Sequence, residues 1–283
     1  MTNKRIAWIT DSTAFITKEL EQHQDVYVMP LTIAFSSGTY EDGIDLSSDD
    51  LYMKLKAEKE VPKTSQPSVG KFAELFEKLK ADYDCAIAVH ISSKLSGTLN
   101  SCMQGAEIAG FPVETVDSKM MSYIITGLLN KGIELQYQDT DWKEIAQTLR
   151  LEANQFENYI LLGNLDQFYK GGRMSGTQYL LGSILKVKPI IHVDRNGEFQ
   201  LFDKVRSEKK AVRRMIELLE ESAEKHRIKQ VQIMHGNVLE KAQEIEKEIL
   251  TRFPEMGTFI GEISSTIAVH AGEGTVAVVW HFE

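Results

Sequence analysis

Residues 85–98 read Cys-Ala-Ile-Ala-Val-His-Ile-Ser-Ser-Lys-Leu-Ser-Gly-Thr, and they give the clearest indication of the fold class. Its first seven residues form a continuous apolar run of the kind that is buried on both faces in a parallel sheet. Hydroxyl residues follow directly, and residues 99–109 have a helical pattern. A buried strand that ends in small polar residues and opens onto a helix is the unit from which doubly wound α/β domains are built.

The same arrangement occurs elsewhere in the first half of the chain. Residues 5–10 are an apolar run followed by Asp-Ser-Thr, and residues 113–118 end in Asp-Ser. Strand and helix patterns alternate up to residue 154, which predicts an N-terminal α/β domain with a parallel sheet over residues 1–158. We expect residues 26–35 to form one strand and residues 62–70 to form a polar loop.

The second half has a different pattern. Apolar runs at residues 188–193 and 198–202 flank Asp-Arg-Asn-Gly, which predicts a hairpin. A long charged helix is predicted over residues 208–224, and strands and helices follow to the end. The sequence therefore predicts a C-terminal α+β domain over residues 159–283, with the boundary near residue 158.

Composition limits the functional classes. The chain has 283 residues, of which 42% are hydrophobic and 26% charged, as in soluble globular proteins. Its net charge of -9 argues against binding to a nucleic-acid backbone. No run approaches the roughly 20 apolar residues of a membrane span, and the first apolar run ends at Asp11, too early for a signal peptide. Two cysteines make neither a disulfide framework nor a zinc site, and we expect a cytoplasmic protein.

The hydroxyl residues at the predicted strand ends are the first candidates for a binding site. Ligands of open α/β sheets bind at the carboxyl ends of the strands, where helix N-termini suit anions. Ser96 and Gly97 stand at such a point, and a glycine there lets the backbone approach a ligand closely. For Ser12, Ser92 and Ser118 taken singly, simple helix capping is the favoured interpretation.

Several catalytic motifs are not matched. The sequence around Ser96 lacks the first glycine of a nucleophile elbow, and spacing gives no support for a triad with His270. Residues 170–176 contain two glycines and Arg173, but they do not have the spacing of a phosphate-binding loop. Arg173 is consistent with anion binding and with bracing of a loop. His90 and His270 have apolar neighbours, and no histidine pair has metal-ligand spacing.

Seven segments carry a resemblance to a known family when they are taken together. They are residues 9–13 (Ile-Thr-Asp-Ser-Thr), 63–68 (Lys-Thr-Ser-Gln-Pro-Ser), 91–98, 116–119 (Val-Asp-Ser-Lys), 170–175 (Lys-Gly-Gly-Arg-Met-Ser), 186–190 (Lys-Val-Lys-Pro-Ile) and 270–274 (His-Ala-Gly-Glu-Gly). In this order and at this spacing the chain resembles the DegV family of bacterial fatty-acid-binding proteins, which includes the acyl-binding subunits of bacterial fatty acid kinase. The resemblance covers essentially the whole chain.

The resemblance implies a two-domain fold that holds one long-chain fatty acid in a tunnel between the domains. It implies that Thr64 and Ser96 bind the carboxylate, with His270 near the same head group. Arg173 matches the arginine of the family's Lys-Gly-Gly-Arg segment, and it would organise the site or face the kinase. Supporting positions are Ser65, Gly97 and Thr98.

The sequence departs from the family pattern at two positions. Lys94 stands where the family often has glycine, and Ala271 stands where threonine is common. Lys94 would change the charge at the mouth of the pocket. Some apolar residues would line a tunnel wall, although their helical spacing is more typical of ordinary core: Met120, Met121, Leu180, Leu181 and Ile184.

The resemblance also implies a carrier without catalytic residues, metal or cofactor, whose ligand is the fatty acid and whose partner is a separate ATP-binding kinase subunit. A transient contact with a membrane is left open. The alternative is a phosphotransferase or hydrolase that acts on a small hydroxylated or acyl substrate. A third reading is a lipid-responsive regulator that takes no part in phosphorylation.

Overall fold

Two units make up the chain in the computed structural model, which describes residues 4–58, 60–173 and 187–283. The first unit contains Met1–Leu51, Pro62–Asn154 and Ser264–Thr266. The second contains Tyr52–Val61, Gln155–Ile263 and Ile267–Glu283. A domain boundary near residue 158 stays a prediction.

The first unit is built on a four-stranded sheet in which every strand is parallel, in the order β2-β1-β6-β7. This confirms the predicted parallel sheet, and the carboxyl ends of all four strands lie at one edge. In chain order the elements are β1 (Ile6–Asp11), α1 (Lys18–Glu21), β2 (Val26–Met29), β3 (Thr32–Phe35), β4 (Gly38–Glu41), α2 (Ser48–Ala57), β5 (Lys63–Ser65), α3 (Val69–Leu79), β6 (Cys85–His90), α4 (Thr98–Ala109), β7 (Val113–Asp117), α5 (Tyr123–Tyr137) and α6 (Trp142–Glu152).

A second, three-stranded sheet in this unit corrects two expectations. Residues 26–35 are two strands and not one, because the chain breaks at Pro30, which has no N–H to donate to a ladder. After Pro30 the chain leaves the parallel sheet, and β3 lies between β4 and β5 in antiparallel pairing. The predicted loop over residues 62–70 contains β5, a polar strand that forms because its backbone pairs with β3.

Helix capping and apolar faces explain why the helices lie where they do. Ser68 accepts a hydrogen bond from the Lys71 N–H at the start of α3. Phe72 and Phe76, one turn apart on that helix, are fully buried in a core against one face of the parallel sheet. The opposite face holds Trp8, which lies so close to α5 that a Cβ on Gly132 would come within 2.4 Å of its ring.

The second unit is built on a six-stranded mixed sheet in the order β10-β9-β8-β13-β11-β12. Its elements are β8 (Phe156–Leu161), α7 (Leu165–Lys170), β9 (Lys188–Val193), β10 (Phe199–Val205), α8 (Glu208–Ala223), β11 (Gln230–His235), α9 (Leu239–Arg252), β12 (Gly257–Glu262), α10 (Ser265–Ala271) and β13 (Val276–His281). β9 and β10 form the predicted hairpin. Residues of α8 and α9, such as Met215 and Ile245, pack with Trp280 in one buried core. The predicted α+β character of this half is confirmed.

Within the ranges that the structure describes, no helix is both long enough and apolar enough to cross a bilayer.

Candidate functional site

The carboxyl edge of the parallel sheet is held together by a buried pair, Asp11 at the end of β1 and His90 at the end of β6. The Nδ1 atom of His90 lies 2.9 Å from a carboxylate oxygen of Asp11, and neither side chain is exposed. The same carboxylate accepts hydrogen bonds from the Ile91 N–H at 3.0 Å and the Thr13 N–H at 3.0 Å. Asp11 therefore ties the loop after β1 to the loop after β6.

The charges of this pair follow from its surroundings. Burial lowers the pKa of His90, but Cys102 and the Asp11 carboxylate outweigh burial and raise this pKa to about 9. Burial raises the pKa of Asp11, while the hydrogen bond and charge of His90 and the bonds from Thr13 and Ile91 lower it below its ordinary value. Both groups are therefore ionised at neutral pH.

The predicted carboxylate-binding residue Ser96 lies at the N-terminus of α4. Its Oγ is 2.8 Å from Oγ1 of Thr98 and accepts a hydrogen bond from the Thr98 N–H at 3.3 Å. Gly97, the N-cap residue, offers no side-chain cap, and the first turn contains no acidic residue. First-turn N–H groups have no acceptor within their helix, so this terminus is suited to an anion.

The second predicted carboxylate-binding residue, Thr64, lies in the middle of β5, where it pairs with Ile33 of β3. Thr64 is half-buried and Ser65 is exposed. Gln66 follows them and reaches the start of α4, where its Nε2 lies 3.5 Å from Oγ of Ser101. The structure thus brings the Thr-Ser-Gln-Pro segment and the Ser-Gly-Thr segment together within the first unit.

His270 and Arg173 form the other group of candidate residues, in the second unit. The Arg173 guanidinium donates a hydrogen bond to the Gly171 carbonyl at 2.5 Å, and a Cβ on Gly171 would lie 2.4 Å from Nδ1 of His270. Burial and the charge of Arg173 lower the pKa of His270 to about 4. Burial also lowers the pKa of Arg173, which nonetheless keeps its charge. At neutral pH the group therefore has one cation and one neutral imidazole.

Gln167 fixes the helix that carries His270, and the sequence reasoning missed it. Its side-chain amide donates hydrogen bonds to the carbonyls of Ala268 and Val269, near the end of α10. Gln167 belongs to α7, directly before the Lys-Gly-Gly-Arg segment, so α7 links that segment to His270. In the sequence, Gln167 could have been recognised from its position three residues after Asn164. The side chain of Asn164 caps α7 by accepting a hydrogen bond from the Gln167 N–H.

Asp42 is a second residue that sequence reasoning missed. It is buried, and its carboxylate accepts hydrogen bonds from Ser12 Oγ at 3.0 Å and from the Ser265 and Thr266 N–H groups at 3.1 Å each. Burial raises its pKa, and these hydrogen bonds partly offset that rise. The side chain of Asp42 thus caps the N-terminus of α10, the helix that contains His270. Only the polar run Tyr-Glu-Asp-Gly at residues 40–43 could have indicated it.

The remaining sequence candidates fall into three groups. Met120 is buried and Met121 half-buried, whereas Leu180, Leu181 and Ile184 lie outside the described residues. Lys94 is exposed and Ala271 is buried. Both cysteines are buried and unpaired, and the described part of the chain contains no cluster of three or more His, Cys, Asp or Glu side chains that could hold a metal ion.

These features define a class: a two-unit α/β protein whose first unit has a hydroxyl-lined helix N-terminus at the carboxyl edge of a parallel sheet. The model of the family described as "Uncharacterised protein, DegV family" matches residues 5–283. The chain belongs to the DegV family, which confirms the resemblance seen in its motifs.

Individual relatives match over the whole length. Protein DegV of Bacillus subtilis is 33% identical over 280 residues, which cover 98% of this chain and 99% of the relative. The solved structure of DegV from Bacillus subtilis, a fatty acid binding protein, is 32% identical with a TM-score of 0.89, covering 99% of this chain and 100% of that one. A fatty acid binding DegV family protein from Streptococcus agalactiae is 29% identical with a TM-score of 0.92, covering 99% of each chain.

Proposed function

We propose that the protein is a cytoplasmic carrier that binds one long-chain fatty acid and presents its carboxylate to a separate, ATP-binding kinase subunit. In this proposal Thr64 and Ser96 bind the carboxylate, and Ser65, Gly97 and Thr98 shape their surroundings. His270 and Arg173 are further candidate residues for the head group, and the acyl chain occupies the tunnel that the resemblance implies.

The observation that carries the proposal is the N-terminus of α4, where the Ser96 and Thr98 hydroxyls lie 2.8 Å apart and the first turn contains no acidic residue. A carboxylate that leaves water needs hydrogen-bond partners, because burial without them costs far more than one hydrogen bond returns. Hydroxyl and backbone N–H donors supply those partners. Membership of a family whose members in Bacillus subtilis and Streptococcus agalactiae bind fatty acids supports the same ligand class.

Burial of the acyl chain supplies the affinity in this proposal. A chain of about sixteen carbons gains roughly 0.8 kcal/mol per buried CH₂, a gross gain of order 10 kcal/mol. Loss of translational and conformational freedom offsets much of this gain. The head group therefore determines which class of lipid binds and how it is presented, more than how tightly it binds.

Neutral donors also leave the carboxylate nucleophilic, which suits presentation to a kinase. In the proposed transfer a carboxylate oxygen attacks the γ-phosphorus of ATP on the partner, the bond to the β-phosphate oxygen breaks, and ADP leaves. The product is an acyl phosphate. A cation in full contact with the attacking oxygen would reduce its nucleophilicity, whereas hydroxyl donors withdraw less charge.

Native mass spectrometry of the protein purified from bacteria tests the ligand. We expect a bound mass equal to a long-chain fatty acid, and solvent extraction should identify it. A protein that purifies without lipid, and that does not bind oleic acid when it is added, would contradict the proposal.

The head-group residues are tested with the double variant Thr64→Ala/Ser96→Ala. Loss of two hydroxyl donors to a charged group should weaken oleic acid binding at least about tenfold. Ser93→Ala is the matched control, because Ser93 lies in the same loop but donates its hydroxyl to Asp117 at 2.6 Å. Equal affinity in the double variant and the wild type would show that other residues bind the carboxylate.

A third experiment separates a carrier from an enzyme. The protein alone with ATP and fatty acid should form no acyl phosphate, and product should accumulate only when a kinase subunit is added. Turnover by the protein alone would favour the phosphotransferase alternative.

A further inference from the structure

Gly97 is glycine for a steric reason and not for a conformational one. Its backbone angles, φ -79° and ψ 8°, are accessible to any residue. A Cβ at this position would however lie 2.5 Å from Nε2 of Gln66 and 2.9 Å from its Cδ. The side-chain amide of Gln66 thus occupies the space that the missing Cβ leaves. This differs from the sequence expectation, in which the glycine admits a ligand.

Gln66 links the two segments that carry the candidate carboxylate-binding hydroxyls. It follows β5, which carries Thr64, and its amide extends over the first turn of α4, where Nε2 lies 3.5 Å from Oγ of the buried Ser101. Ser96 and Thr98 flank Gly97 in the chain, and their hydroxyl oxygens lie 2.8 Å apart. The amide of Gln66 therefore contacts the turn that carries Ser96, while its backbone directly follows the strand that carries Thr64.

We propose that Gln66 is a positioning residue, which sets the separation of the Thr64 and Ser96 hydroxyls and so makes the site selective for an ionised carboxylate over a neutral head group. The inference rests on the proposed function, because it concerns the same site. A carboxylate has two oxygens and can bridge donors on both segments. An alcohol has one oxygen and needs only one segment, so its binding does not depend on their separation.

The test compares oleic acid with oleyl alcohol, two ligands with the same acyl chain and different head groups. Affinities of both are measured for the wild type, Gln66→Ala, Gly97→Ala and the double variant. Gln66→Ala should weaken oleic acid binding about tenfold and change oleyl alcohol binding less than about twofold. Gly97→Ala should have the same effect, because its methyl group displaces the Gln66 amide.

Non-additivity is the decisive result. In the Gln66→Ala background no amide remains to be displaced, so Gly97→Ala should cost less than about a further twofold in oleic acid affinity. Thermal unfolding is measured in parallel, because alanine is a poorer N-cap than glycine and should lower the midpoint in both backgrounds alike. Gly70→Ala is the matched glycine control, since its Cβ would meet nothing nearer than Ser68 Oγ at 3.9 Å. It should leave both affinities unchanged.

Two outcomes would overturn the inference. If Gly97→Ala weakens oleic acid binding as much in the Gln66→Ala background as in the wild type, the glycine acts independently of Gln66. If Gln66→Ala weakens both ligands by the same factor, Gln66 is a general structural residue. A wild type that binds neither ligand is a different failure, because it rejects the proposed function itself.

Discussion

His90 in the first unit and His270 in the second differ in charge although burial acts on both in the same direction. Burial lowers the pKa of each imidazole. His90 nevertheless has a pKa of about 9, since Cys102 and the Asp11 carboxylate, which lies 2.9 Å away, outweigh burial. His270 has a pKa of about 4, mainly because it is buried, and the charge of the Arg173 guanidinium lowers this pKa further. His90 is therefore protonated at neutral pH because its neighbours outweigh burial, whereas the neighbour of His270 adds to the effect of burial.

The difference between the two histidines shows how each unit accommodates a buried charge. In the first unit the cation of His90 and the anion of Asp11 cancel inside the fold, so the pair orders two loops and leaves the hydroxyls of the α4 N-terminus as neutral donors. In the second unit the histidine is neutral and the charge of Arg173 is not cancelled by it. The first unit thus keeps its buried histidine charged, and the second keeps its buried histidine neutral beside a cation.

Removal of Asp11, the partner of His90, should have the largest effect on the free energy of unfolding. Asp11→Ala leaves a buried cation and two loop N–H groups without their acceptor, and we expect a loss of about 3–5 kcal/mol in the free energy of unfolding. Urea unfolding measures it. Asp82→Ala is the control, because Asp82 is exposed, and it should change the free energy by less than about 0.5 kcal/mol. A loss below about 1 kcal/mol for Asp11→Ala would contradict a buried ion pair.

The pH dependence of stability should show the charge of His90 directly. A histidine whose pKa is raised on folding stabilises the fold fully below about pH 6.5, and this contribution disappears as the pH rises to about 9. The wild type should therefore lose up to about 1.4 kcal/mol per pH unit across this window. His90→Gln should remove most of that slope. Equal slopes in the two proteins would mean that His90 is already neutral at pH 7.

The sequence was sufficient for the order of the main elements, because periodicity and capping are local. α3 follows its Ser68 cap, and β6 follows its apolar run. It was insufficient where an element exists only through a distant partner. The polar residues of β5 have no strand pattern of their own, and their strand forms by pairing with β3. Likewise the continuous apolar run of residues 26–35 does not indicate that the chain passes from the parallel sheet to the three-stranded sheet after Pro30.

The candidate site was predictable to the level of segments and not of contacts. Family motifs pointed to Thr64, Ser96 and His270, and the structure brings the segments that carry the first two into contact through Gln66. No local signal reports that Asp42 caps a helix 223 residues away, or that Asp11 pairs with a histidine 79 residues away. Such contacts depend on the order of strands in the sheet, which the motifs do not contain.

The next prediction concerns Arg173, whose charge contributes to the difference between the pKa values of His90 and His270. Arg173→Gln removes the charge that helps to lower the pKa of His270, so this pKa should rise above about 4, whereas Arg173→Lys should keep it low. NMR titration of the imidazole measures both. A pKa lowered on folding costs stability as the pH falls from about 6.5 to about 4, and the glutamine variant should lose less stability over this window. An unchanged pKa in Arg173→Gln would leave burial as the sole cause.

The smallest effect should come from the aromatic neighbour of His90. Phe72 makes a T-shaped ring contact with His90, with centroids 5.5 Å apart, and a protonated imidazole gains from an adjacent π face. Phe72→Leu should lower the pKa of His90 and cost about 0.5–1.5 kcal/mol beyond the lost apolar area. Phe76→Leu is the matched control: Phe76 is also fully buried and one turn away, and its ring contacts are with Phe72 and Phe111. If the two variants shift the NMR-measured pKa of His90 equally, repacking of the core and not the ring contact is responsible. A shift confined to Phe72→Leu would show that the first unit stabilises its buried cation from two sides, with the carboxylate of Asp11 as the larger contribution.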